Sequence, residues 1–88
     1  MGVTENFIAL IQRINDSFIR DNIYMVGKSQ LARALKTIDP QYQEKIFRNM
    51  TSDGAEEVKR LMADLGVVST EDSEAAQREI ISMAQGYI

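Results

Sequence analysis

The chain is 88 residues long, 44% hydrophobic and 26% charged, which allows one small folded core and excludes a disordered tail or a large multidomain enzyme. Ten basic against thirteen acidic side chains leave a net charge of −3, a poor balance for non-specific binding to nucleic-acid phosphates. Cysteine and histidine are both absent, which removes disulfides, thiol chemistry, the commonest general base and most transition-metal sites.

Apolar residues recur at helical spacing along almost the whole chain, and no stretch keeps a period of two. Phe7, Leu10, Ile11 and Ile14 mark a first short helix that Thr4 could cap. Ile19, Ile23 and Val26 mark a second, begun by Asp16 or Ser17 and ended by Gly27. Ser29 opens a third, very short helix whose inward face is Leu31, Leu35 and Ile38. Asp39-Pro40 is the clearest boundary, because Asp favours the N-cap and proline at the first helical position lacks an N–H that would be unpaired anyway.

The fourth helix is expected to bury Tyr42, Ile46, Phe47 and Met50. Thr51 can cap a fifth, with Asp53 near the positive end of its dipole, Val58, Leu61, Met62 and Leu65 as its stripe, and Gly66 as its stop. After the apolar link Val67-Val68, Ser69 or Thr70 starts a sixth helix with Glu71 and Asp72 in its first turn. Its expected buried stripe is Ala76, Ile80, Met83 and Ala84, and Gly86 ends it. The fold class expected is all-α: about six short helices in one compact superhelical bundle over residues 1–88, with 1–14 the least securely placed.

Chemistry is sparse. Glu56-Glu57 and Glu71-Asp72 are adjacent carboxylates, but neighbours on a helix point in different directions, and helix-start acidity explains them. The string Gly27-Lys28-Ser29 lacks the upstream glycine of a phosphate-binding loop and reads as a turn between helices. No enzyme activity and no cofactor are expected. No run approaches the roughly 18 to 20 apolar residues of a membrane helix, and the N-terminus does not read as a secretory signal, so a cytosolic domain is expected. Charge is uneven: residues 1–50 carry seven basic and five acidic side chains, residues 51–88 three and eight. That dipolar distribution suits docking by electrostatic complementarity.

One stretch goes beyond pattern. Leu31-Ala32-Arg33-Ala34-Leu35-Lys36, then Glu44-Lys45-Ile46-Phe47-Arg48-Asn49-Met50-Thr51, then Leu65-Gly66-Val67-Val68 and Glu74-Ala75-Ala76-Gln77 fall in one gapless register, echoed weakly upstream by Asn15-Asp16-Ser17-Phe18-Ile19-Arg20. Together they resemble the C-terminal domain of the flagellar motor switch protein FliG. The resemblance implies an armadillo-like helical module that transmits torque, cytoplasmic and peripheral at the flagellar basal body. The partners it implies are a stator cytoplasmic loop of the MotA type and neighbouring FliG-type subunits. It implies no nucleic acid and no membrane insertion.

The resemblance also carries charges. Lys36 keeps a basic residue of the family's stator-facing set, whereas Asp53 stands where an Arg is expected. Arg60 and Leu61 stand where two Asp are expected, and Ser69 replaces a further Arg. Lys36, Asp53, Lys59 and Arg60 are therefore the candidate protein-binding residues, with the signs at Asp53 and Arg60 inverted. A second reading is a non-motor helical adaptor of the same lineage, which would use apolar faces and the flexible side chains of Met25, Met50, Met62 and Met83. An apolar patch left exposed on the folded chain would favour it.

Overall fold

The computed structural model describes residues 2–86 and contains no strand among them. Six α-helices follow in order: α1 (Val3–Arg13), α2 (Asp16–Asn22), α3 (Lys28–Leu35), α4 (Pro40–Phe47), α5 (Ser52–Leu65) and α6 (Thr70–Gln85). A 3-10 turn, Ile23–Met25, joins α2 to α3.

The short α3 is the centre of the fold. Leu31, Ala32, Ala34 and Leu35 are all buried, so half of its eight residues face the interior. It packs against α5 on one side and α6 on the other, while α1 lies across α6 and α4. Small alanines on two faces let both neighbours approach closely. Around α3 the core gathers Phe7 and Ile11 from α1, Ile46 and Phe47 from α4, Val58 from α5 and Ala76 from α6.

Helix starts follow local chemistry. The Thr51 hydroxyl accepts from the Gly54 N–H at 3.1 Å, and the Ser69 hydroxyl accepts from the Asp72 N–H at 3.1 Å. Pro40 occupies the first turn of α4 behind an extended Asp39, whose carboxylate makes no cap bond. Gly66 closes α5 with φ +63°, a backbone angle that favours glycine.

Several boundaries differ from the sequence reading. Helix α1 starts behind Gly2, which places Thr4 inside the first turn rather than at the cap. The cap of α2 is Asn15, whose Oδ1 accepts from the Phe18 N–H at 2.8 Å. Gly27 does not end α2 but caps α3 in an extended conformation, so Ser29 lies inside that helix. The expected stripe Ile19, Ile23 and Val26 is therefore split: α2 stops at Asn22, which turns its amide onto the Phe18 carbonyl, and the chain tightens into the 3-10 turn.

Leu65, expected in the core, is exposed. Lys36, just after α3, reaches the Met62 carbonyl, so Leu65 lies about one turn beyond the end of α3 and is left 37% exposed. Met50, Met62 and Met83 pack against the core, whereas Met25 is exposed on the 3-10 turn.

Candidate functional site: the outer ridge of helix α5

Helix α5 buries Gly54, Ala55 and Val58 and turns its other side to solvent. A step of about 100° per residue stacks Asp53, Glu57, Arg60 and Asp64 into one outward ridge, with Glu56 beside it. Asp53, Arg60 and Asp64 are exposed, and none of the three makes an ion pair among the described residues. Glu57 is half-buried and pairs with Lys28 of α3 at 3.1 Å. Two of the four sequence candidates, Asp53 and Arg60, are thus brought together on one rigid face.

The other two are placed differently. Lys59 lies about 100° around the helix from Arg60, and its ammonium sits 5.0 Å from the centroid of the Phe47 ring. Lys36 is half-buried at the opposite end from Asp53, where its Nζ donates to the Met62 carbonyl at 2.7 Å. That carbonyl belongs to the last turn of α5, where acceptors lack intrahelical partners and the dipole end is negative. Lys36 is therefore a C-terminal clamp on the helix that carries the ridge.

Lys45 does the same for α1. Its Nζ donates to the carbonyls of Ile11 at 2.7 Å and Ile14 at 2.6 Å, with Gln12 further off at 3.4 Å. Sequence reasoning misses this role, because a lysine within a helix looks like a surface charge until the neighbouring helix end is placed beside it.

A largely buried polar cluster fixes the end of α3 against α6 and α4. Each of the last four carbonyls of α3 has a partner: Ala32 from the Lys36 N–H, Arg33 from the Ser73 hydroxyl, Ala34 from Gln77 Nε2, and Leu35 from the Ile38 N–H and Gln43 Nε2. Gln77 is fully buried, and its Oε1 accepts from the Thr4 hydroxyl of α1 at 2.8 Å. Thr37 and Ser73 hydroxyls meet at 2.7 Å. Gln77 and Ser73 sit where a periodicity argument expects only apolar residues.

At the start of α5 an open groove of about 870 Å³ separates it from the 3-10 turn. Its floor includes Ile23, Val26, Leu31 and Met50, and its rim carries Arg20, Lys28, Arg48, Asp53 and Glu57. Arg48 is tied to Asp16, with Nη2 at 3.1 and 3.3 Å from the two carboxylate oxygens. The Arg48 hydrogen bond and, after it, that of Asn49 hold the Asp16 carboxyl below the usual carboxylate range. No helix among the described residues is long and apolar enough to cross a membrane. No group of three or more acidic side chains among them could hold a metal ion.

A family profile described as the FliG C-terminal domain matches residues 6–88. The flagellar motor switch protein FliG of Borreliella burgdorferi is 35% identical over 83 residues, covering 94% of this chain and 23% of the relative. FliG of Vibrio cholerae serotype O1 is 35% identical over 85 residues, covering 97% and 23%. FliG of Helicobacter pylori is 35% identical over 75 residues, covering 85% and 22%. The chain thus spans under a quarter of the length of the curated relatives it matches. The all-α fold, the matched span and these identities agree: the chain belongs to the FliG C-terminal domain family.

Proposed function

We propose that this chain is a rotor domain of the flagellar motor switch, peripheral to the membrane, that transmits torque through electrostatic contacts between α5 and a stator cytoplasmic loop of the MotA type. Neighbouring FliG-type subunits would hold it in a ring. The observation that carries the reading is the outer ridge of α5, where Asp53 and Arg60 stand exposed and unpaired on a helix clamped at both ends. Exposed charge pairs are each worth about 1 kcal/mol or less and are screened by salt. Such contacts are readily broken and remade, as a surface moving past its partner requires. Lys59 is a subsidiary contact, and Lys36 acts chiefly by steadying the helix end.

The test reverses ridge charges without touching the clamp. In a flagellated host whose motor carries this chain as the C-terminal part of its switch protein, Asp53→Lys and Arg60→Glu together are expected to leave flagella assembled and swimming lost. Assembled flagella with unchanged swimming speed would refute the electrostatic ridge. The adaptor reading draws on a different observation, the apolar side chains exposed at Tyr24 and Val67, and it gains if the double reversal is silent.

A further inference from the structure

Residues 15–26, which make α2 and the 3-10 turn, are bounded by extended backbone at both ends. Ile14 and Asn15 have ψ of 146° and 167°, and Val26 and Gly27 have ψ of 128° and 139°. Residues at the ends of elements are where hinge motion is absorbed. The carbonyls at the two limits are anchored: Ile14 accepts from Lys45 Nζ at 2.6 Å, and Gly27 accepts from the Leu31 N–H at 2.9 Å. Between these anchors, α2 and the turn pack closely with each other and with no other element.

Beneath the segment lies a crevice of about 40 Å³. Ile19, Ile23 and Val26 line it from the segment, and Phe7, Ile11 and Leu31 line it from the core. Asn22, which also borders it, turns its amide onto the Phe18 carbonyl. Side chains that face a gap forgo dispersion contacts there, and an apolar gap offers water no hydrogen bonds in return. Ile19 and Val26 are thus removed from water without being fully packed.

Polar attachment to the rest of the fold is made in the first turn of α2. The Asp16 carboxylate takes Arg48 Nη2 at 3.1 and 3.3 Å and is also bonded to Asn49. The same segment supplies Arg20, Ile23, Tyr24 and Val26 to the groove at the start of α5. Leu31, only 2% exposed, lies under both the groove and the crevice.

We propose that residues 15–26 are a strap that lifts from the core as one body between the anchored Ile14 and Gly27, latched by Asp16, while the other helices stay packed. Lifting removes one wall of the groove and uncovers Leu31, so the groove exists only in the closed state. This device is independent of the stator reading.

Hydrogen exchange on the wild-type chain gives the first test. The Ile23 N–H is bonded to the Ile19 carbonyl and the Val26 N–H to the Ile23 carbonyl. Both are expected to exchange through the same opening as α2, about tenfold or more faster than α3 after correction for intrinsic rates, and with a smaller urea dependence. Single cysteines give the second test, since the chain has none of its own. Leu31 and Leu35 are both buried in α3, one turn apart, but only Leu31 lines the crevice. Corrected for each variant's urea midpoint, the thiol in Leu31→Cys should react with a disulfide reagent about tenfold or more faster than that in Leu35→Cys. Adding Arg48→Gln, which removes the latch without altering α2, should speed the Leu31→Cys reaction about two- to fivefold and leave Leu35→Cys at its global rate. Ile23 and Val26 exchanging no faster than α3, with residues 16–22 exchanging faster, would mean that α2 merely frays, and overturns the strap. Equal reactivity of the two thiols, or a Leu31→Cys rate untouched by Arg48→Gln, overturns it as well.

Discussion

Helices α3 and α2 are nearly equal in length, eight and seven residues, yet the fold uses them in opposite ways. Helix α3 is enclosed by α5 and α6, and every carbonyl of its last turn is bonded to a named partner. Helix α2 lies at the edge, buries Ile19 alone, and packs closely only with the 3-10 turn that follows it. Asn15 caps it locally, and beyond Ile19 it is tied to the rest of the fold by the exposed Asp16 carboxylate, bonded to Arg48 and Asn49. Helix length and propensity do not separate the two; the number of tertiary partners does. Opening of α2 should therefore require much less free energy than global unfolding.

The largest break in this contrast is expected from Leu35→Ala, at a fully buried site in α3. The cost should be about 2–5 kcal/mol, read as a lower urea midpoint, with all helices lost together. A protein that lost α3 while keeping α5 and α6 would contradict its central place. A smaller effect is expected from Gln77→Leu, which preserves bulk but leaves the Ala34 carbonyl and the Thr4 hydroxyl without their partner. The destabilisation should be about 1–3 kcal/mol. An unchanged urea midpoint would mean that the cluster contributes nothing net.

The smallest effect concerns the edge helix. The Asp16 carboxyl has a pKa lowered in the folded state by Arg48 and Asn49. Its contribution is therefore complete above the ordinary value of 3.8 and is lost as pH falls through the lowered folded value. Amide exchange of residues 16–22, corrected for intrinsic rates, should rise selectively on acidification below that window. In Asp16→Asn it should already be raised at neutral pH and respond less to acid, while exchange in α3 stays at the global rate. Equal protection of α2 and α3 at neutral pH would erase the comparison.

Features set by neighbours along the chain are legible in the sequence. Thr51, Ser69, Asp39-Pro40 and Gly66 mark helix ends because caps and stops act within a few residues. The shared outward register of Asp53 and Arg60 follows from their spacing along one helix. Features set by residues distant in the chain are not legible there. Gly27 suits the end of one helix or the start of the next, and only the tightening at Asn22 decides it. Leu65 keeps the helical period but outruns α3. Ser73 and Gln77 look like surface polar residues until the C-terminus of α3 arrives over them. The family motif includes Gln77, yet motif membership alone does not say that the residue is structural.

The clamping lysines alter what a partner would sense. The C-terminus of a helix carries roughly −0.5 elementary charge, and Lys45 and Lys36 lie against the ends of α1 and α5. Much of their field is quenched within the protein. The formal charge of −3 therefore understates how negative the chain looks from outside on the α5 side, where Asp53, Glu56 and Asp64 surround the outward Arg60. On that side Arg60, with the exposed Lys59 beside it, forms a positive island among acidic side chains.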